Sequence, residues 1–172
     1  MIKFDSNRLI FGLFLIILVA IGYLIIDALQ VPTWPAFMAM IFFLMAKGDK
    51  KTALPILVGG TVGILSLVLA KFFVMGVGPT IGLVAAKLLF ILCLVYIIVA
   101  FAEIIPIFVN IYSFMFFLIA ALANNVPNPN PKMAPFVWVG VLLIGGGLFI
   151  LGIMGIYKIL MAIVLKKAAK AK

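Results

Sequence analysis

The stretch Val31–Lys51, VPTWPAFMAMIFFLMAKGDKK, decides how the rest of the chain is laid out. Pro32, Trp34 and Pro35 lead into a short apolar run, and a basic turn, Lys47-Gly48-Asp49-Lys50-Lys51, closes it. As a helix, Trp34 to Ala46 would rise only about 20 Å, short of the roughly 30 Å hydrocarbon core of a bilayer. It is therefore either a short crossing or a re-entrant segment. With a cytoplasmic N-terminus, re-entry would leave Lys47, Lys50 and Lys51 outside, against the bias of lysine and arginine for the inner face, whereas a crossing puts them inside. Charge favours the crossing, with Val31 to Pro35 buried as part of it.

A weaker copy of the stretch follows later. Pro35, Phe37 and Phe43 match Pro106, Phe108 and Phe114 at one constant offset. After an insertion, Pro55, Val58 and Gly60 answer Pro135, Trp138 and Gly140. Two halves with an odd number of spans must insert with opposite orientation, the inverted-repeat plan of many transporters, whose sites lie where spans are short or proline-interrupted.

Composition agrees with a membrane location. The 172 residues are 68% hydrophobic and 10% charged, far from the near-even apolar share of a soluble globule. Apolar runs without polar alternation must satisfy their backbone hydrogen bonds as helices, not as barrel strands. The net charge of +9 gathers at the termini and in the KGDKK turn, as expected of segments held on the inner face and not of a nucleic-acid surface. The expected architecture is an all-α polytopic membrane protein, a single domain of about six transmembrane segments in two inverted three-helix repeats, about 9–75 and 79–157. A basic cytoplasmic tail, 158–172, follows, where each lysine near anionic lipid is worth about 1 kcal/mol.

In order, Leu9–Ile26 reads as an uncleaved first helix after the cap-type residues Asp5, Ser6 and Asn7. The third segment spans about Ala53–Met75 and carries Gly59, Gly60 and Gly63 as a small-residue packing face. A tight turn is expected at Gly76, Gly78 and Pro79. The fourth segment runs over about Thr80–Phe101 with Lys87 well inside, and the fifth over Ile104–Leu122. NNVPNPNPK (124–132) is a loop. The sixth begins near Ala134, is dense in glycine over Gly140–Gly155 and stays apolar to Leu165. Both termini fall on the cytoplasmic side of what is read as a prokaryotic inner membrane.

Lys87 is either a cation on a polar pathway or a side chain snorkelling to the interface. Lys71 snorkels more easily, and Asp27 is placed to pair with either lysine. Glu103 is a candidate ion or proton site, or simply a wet boundary residue. Asn110, Tyr112 and Ser113 either line a pathway or make interhelical hydrogen bonds. Trp34 and the phenylalanines of both copies, Phe37 and Phe108 among them, serve as anchors and core or pinch a hydrophobic constriction. There is no histidine, and Cys93 is the single cysteine. Nothing in the pattern suggests a metal, a cofactor or an enzyme.

At Trp34-Pro35-Ala36-Phe37, then Phe43 to Gly48, then Gly60 and Gly63, the sequence resembles the small bacterial inner-membrane proteins of the domain of unknown function 1097 family over roughly Leu9–Leu148. The resemblance implies a membrane architecture with a second Pro-x-x-Phe segment. Asn110 and Ser113 depart from it, since small residues would be expected there, and so does the inserted Asn/Pro loop. More distantly the plan looks like that of urea-type solute channels, from which no functional residue is carried over.

The reading that results is a transporter or channel for a small polar or anionic solute, with its pathway between the Trp34 and Pro106 segments and a homo-oligomeric assembly. The rival is a membrane-embedded accessory or scaffold subunit with no pathway of its own.

Overall fold

A computed structural model describes residues 6–127 and 132–170. The reading of Asp5, the middle of the Asn/Pro loop and the end of the basic tail lie outside the described residues. The described chain forms α1 (Ser6–Ala28), α2 (Trp34–Met45), α3 (Lys50–Ile81), α4 (Leu83–Phe101), α5 (Ile111–Ala123), α6 (Ala134–Val141) and α7 (Gly147–Lys170). A π-helical turn, Leu142–Gly146, joins α6 to α7. No strand occurs among the described residues. Among the described residues, four helices are long and apolar enough to cross a membrane: Asn7–Ala28, Lys50–Ile81, Leu83–Phe101 and the continuous Ala134–Leu165. The two short apolar helices, α2 and α5, are the segments the sequence marks as short or proline-led.

The turn after α2 is built by its own sequence. Lys47 and Gly48 both take positive φ, 55° and 71°. The Gly48 amide reaches back to the Phe43 carbonyl and the Lys47 amide to that of Leu44. This is a Schellman closure, and it satisfies carbonyls that a helix end would otherwise leave bare. Asp49 then caps α3, accepting from the Lys51 amide at 3.0 Å.

Glycines set the helix packing. A Cβ at Gly60 would stand 2.8 Å from both Phe116 and Leu142, and one at Gly63 would collide with the Ser113 carbonyl. The glycine face expected on α3 is thus the seat of α5. On the sixth segment, Gly145 and Gly146 receive Ala36 and Ala39 of α2, while Gly152 receives Leu18 of α1. Gly140, Gly147 and Gly155 have no such neighbour.

Depth along the bundle follows from the same contacts. Antiparallel packing of α1 on α7 sets Gly22 on Phe149, Leu18 on Gly152 and Phe11 on Tyr157. Ala36 lies on Gly145 beside Ile26, whereas Gly48 meets Tyr157. The chain from α2 into its turn therefore runs back from the level of Ile26 to that of Phe11. On the other side α5 runs parallel to α3, with Asn110 bonded to the Pro55 carbonyl and Asn124 to the Lys71 ammonium. The core forms where α2, α3, α5 and the α6–α7 segment meet, with Phe43, Phe116, Ile56, Ile64, Leu142, Ile150 and Ile153 fully buried. α1 and α4 flank it with largely exposed apolar faces.

Several boundaries differ from expectation. α3 does not end at Gly76–Pro79 but continues to Ile81, with Pro79 inside it, and the break falls at Gly82, φ +91°. Proline and glycine weaken a helix, yet only the left-handed residue turns the chain. α4 consequently starts at Leu83, which places Lys87 in its second turn with an exposed side chain. The fifth helix starts at Ile111, not Ile104, because Pro106 lacks an amide and Asn110 caps the helix that follows. Asp27 makes no ion pair with Lys71 or Lys87; Lys71 instead donates to Asn124 Oδ1 at 2.7 Å. The residue matches between the halves do not coincide with equivalent positions. Pro35 is buried in the first turn of α2, whereas Pro106 lies exposed before α5; Gly60 is packed, whereas Gly140 is open. Recurring proline and phenylalanine in an apolar chain align easily without sharing a structural role.

Candidate functional site

The candidate residues separate into three groups. Asn110 and Ser113 form a polar knot at the start of α5. Asn110 Oδ1 accepts from the amides of Tyr112 (2.9 Å) and Ser113 (3.1 Å). Its Nδ2 faces the carbonyls of Pro106 (2.8 Å), Ile107 (3.2 Å) and, across to α3, Pro55 (3.2 Å). Ser113 Oγ accepts from the Asn110 amide at 3.1 Å and donates to the Phe108 carbonyl at 2.9 Å. Both side chains are buried. Their donors and acceptors are spent on the backbone of a proline-interrupted turn, whose freed carbonyls would otherwise be unsatisfied. The knot pins the entry of α5 against Gly59 of α3, where a Cβ would stand 2.6 Å from the amide group.

The second group is aromatic. Phe42 of α2 packs edge-on against Phe116 of α5 (5.5 Å between ring centroids) and tilted against Tyr112 (5.4 Å). Trp34 lies 6.3 Å from Phe116 and, edge to face, 5.4 Å from Trp138 of α6. Aromatic faces of the two short helices thus meet through Phe42, Phe116 and Tyr112. Phe37 turns to Phe149 of α7, and Phe108 is exposed in the turn before α5.

Lys87, Glu103 and Phe108 make up the third group, all exposed and not joined to the aromatic cluster. Lys87 stands near the start of α4 and Glu103 just beyond its end. No group of histidine, cysteine or carboxylate side chains able to hold a metal occurs among the described residues.

The sequence singles out Trp138 only as the repeat match of Val58. Trp138 is 2% exposed, and its indole Nε1, like that of Trp34, is buried with no hydrogen-bond partner among the described residues. The available signal was that these are the two tryptophans of the chain and that each falls in the first turns of a proline-led helix.

A separate apolar cleft of about 510 Å³ opens between α1 and the α6–α7 segment, lined by Ile21, Ile25, Leu29, Val141, Ile144 and Leu148 among others. Compared with models of protein families, with curated proteins and with solved structures, the chain matches none.

Proposed function

We propose that this chain is an integral membrane protein that passes a small solute, acting as a channel or transporter, with six crossings arranged as two inverted three-helix halves. The observation that carries the reading is reciprocal packing. The short helix α2 rests on the α6–α7 segment, which belongs to the other half, and the short helix α5 rests on α3. The outer helices repeat the exchange, α1 lying on α7 and α4 on α3. Small residues mediate both exchanges: Gly59, Gly60 and Gly63 on one side, Gly145 and Gly146 on the other. Such an exchange is what a two-fold relation between halves predicts even where residue matches have drifted. It sets two short helices against each other across the axis, the arrangement in which transporters place their sites. The pathway would run along the meeting of Trp34, Phe42, Tyr112 and Phe116, a constriction selecting by size and by dewetting.

Topology is tested by a cysteine placed at Asp49 in a Cys93→Ser background. Labelling only from the side that also reaches the N-terminus is expected; labelling only from the opposite side would make Trp34–Met45 re-entrant and remove the six-span plan.

Function is tested in proteoliposomes, comparing small neutral solutes by light scattering with small anions by electrical recording. Selective passage of one class is the expected result, with Lys87→Met showing whether the exposed lysine contributes to the rate. The apolar cleft favours a second reading, an accessory subunit whose partner lays a helix against α1 and the α6–α7 segment. Absence of flux from verified folded protein, with a second protein co-purifying from native membranes in mild detergent, would replace the first reading by the second.

A further inference from the structure

We infer that the indole N–H groups of Trp34 and Trp138 form a binding site for a small hydrogen-bond acceptor, a carbonyl oxygen or a weakly hydrated anion. The inference rests on the pathway reading for its meaning in transport but not for its test.

Two donors are buried with no partner among the described residues, their rings 5.4 Å apart in an edge-to-face pair. A buried donor without a partner costs about 1–3 kcal/mol, so two in one place call for an explanation. An N–H directed at the neighbouring ring face would satisfy one of them at most, because in an edge-to-face pair only one ring offers its edge. Trp34 is the first residue of α2, whose N-cap residue Thr33 makes no side-chain cap. That leaves the positive end of the helix dipole without a side-chain acceptor beside the indoles. Pro35 and Pro135, fully buried, and Phe116 supply the apolar remainder.

The other half of the molecule supplies the contrast. α5, the second short helix, starts with its Tyr112 and Ser113 amides taken by Asn110. One short helix therefore closes its N-terminus internally, and the other leaves it beside two free indoles. A place made of donors in an apolar wall fits a solute that offers acceptors and loses little hydration on entry. It repels a cation and gives a donor-only solute nothing to bind.

Trp34 and Trp138 are the chain's two tryptophans, so emission excited at the red edge of indole absorption, beyond that of the four tyrosines, reports on this pair. The full chain in detergent or nanodiscs is titrated with acetamide, a neutral carbonyl, and with sodium chloride against sodium gluconate as an ionic-strength control. A saturable change in emission with acetamide, chloride or both is expected, and the responding arm identifies the source of the acceptor. In Trp34→Phe and Trp138→Phe, each reporting through the remaining indole, apparent affinity should fall about fivefold or more, as for one lost hydrogen bond. The same solutes should raise the thermal midpoint of the parent protein and raise it less in either variant, a readout independent of emission. No saturable response to either solute would overturn the site, as would full affinity in either folded single variant. Binding without flux in proteoliposomes would keep the site and remove the pathway. Flux without a saturable response would do the reverse.

Discussion

Gly63→Ala is expected to lower the stability of the protein by about 3 kcal/mol, the upper end of what overpacking by a single methyl costs. The added Cβ would meet the Ser113 carbonyl, a backbone atom that no rotamer change can move, and would stand 3.0 Å from the Phe116 Cβ. Relief requires α5 to withdraw from α3. Two contacts oppose that, the Asn110–Pro55 hydrogen bond at one end of α5 and the Lys71–Asn124 hydrogen bond at the other. Phe116, fully buried between Gly60, Trp34 and Phe42, would have to move with it. The measurement is the unfolding midpoint in detergent followed by helical circular dichroism. Gly76→Ala is the control: it lies in the same helix with nothing within 4 Å, so alanine there is expected to leave the midpoint unchanged or raise it slightly. Equal midpoints for the two variants would mean that the α3–α5 contact is looser than the glycine geometry requires.

The same contact separates what the sequence makes legible from what it hides. Gly59, Gly60 and Gly63 can be read as a packing face because their spacing puts them on one side of a helix. The short lengths of α2 and α5 are legible because proline and charged or Asn-rich turns bound them. Which helix fills a glycine face is not encoded locally, since Gly60 and Gly140 look alike in sequence and only the first is covered. Proline marks a helix end less surely than backbone handedness does. Pro79 is accommodated inside α3, and the turn waits for Gly82 with its positive φ. At the candidate site the polar residues of the fifth segment drew attention first, because in an apolar span a side-chain amide or hydroxyl stands out. The Asn110 amide and the Ser113 hydroxyl are consumed by the backbone of their own turn and, at Pro55, of α3. The unpaired donors belong to tryptophans, which count as hydrophobic in any compositional reading, and their lack of partners is a property of the packed molecule alone. Lys87 illustrates the converse. A helix start at Thr80 puts it two turns in, whereas the observed start at Leu83 puts it in the second turn.

Asn110 should be the most sensitive polar position in the chain. Asn110→Ala removes the acceptor for the Tyr112 and Ser113 amides and the donor facing the Pro106, Ile107 and Pro55 carbonyls. Loss of an N-cap costs about 1 kcal/mol, and leaving buried backbone groups unpaired adds about 1–3 kcal/mol. The expected total is comparable to that for Gly63→Ala and arises by the opposite route, a lost attraction in place of an added clash. Asn110→Ser separates the two contributions. Serine is as good an N-cap as asparagine, so it can still accept from the amides of the first turn, but its single hydroxyl hydrogen cannot serve the carbonyls of both the preceding turn and α3. Its midpoint should therefore fall between those of the parent and Asn110→Ala. Amide hydrogen exchange at Tyr112 and Ser113 should rise in the alanine variant and stay near the parent value in the serine variant. If both variants matched the parent in midpoint and exchange, α5 would be held by packing alone. The proline-interrupted turn from Ala102 to Asn110 would then need another reason to hold its shape.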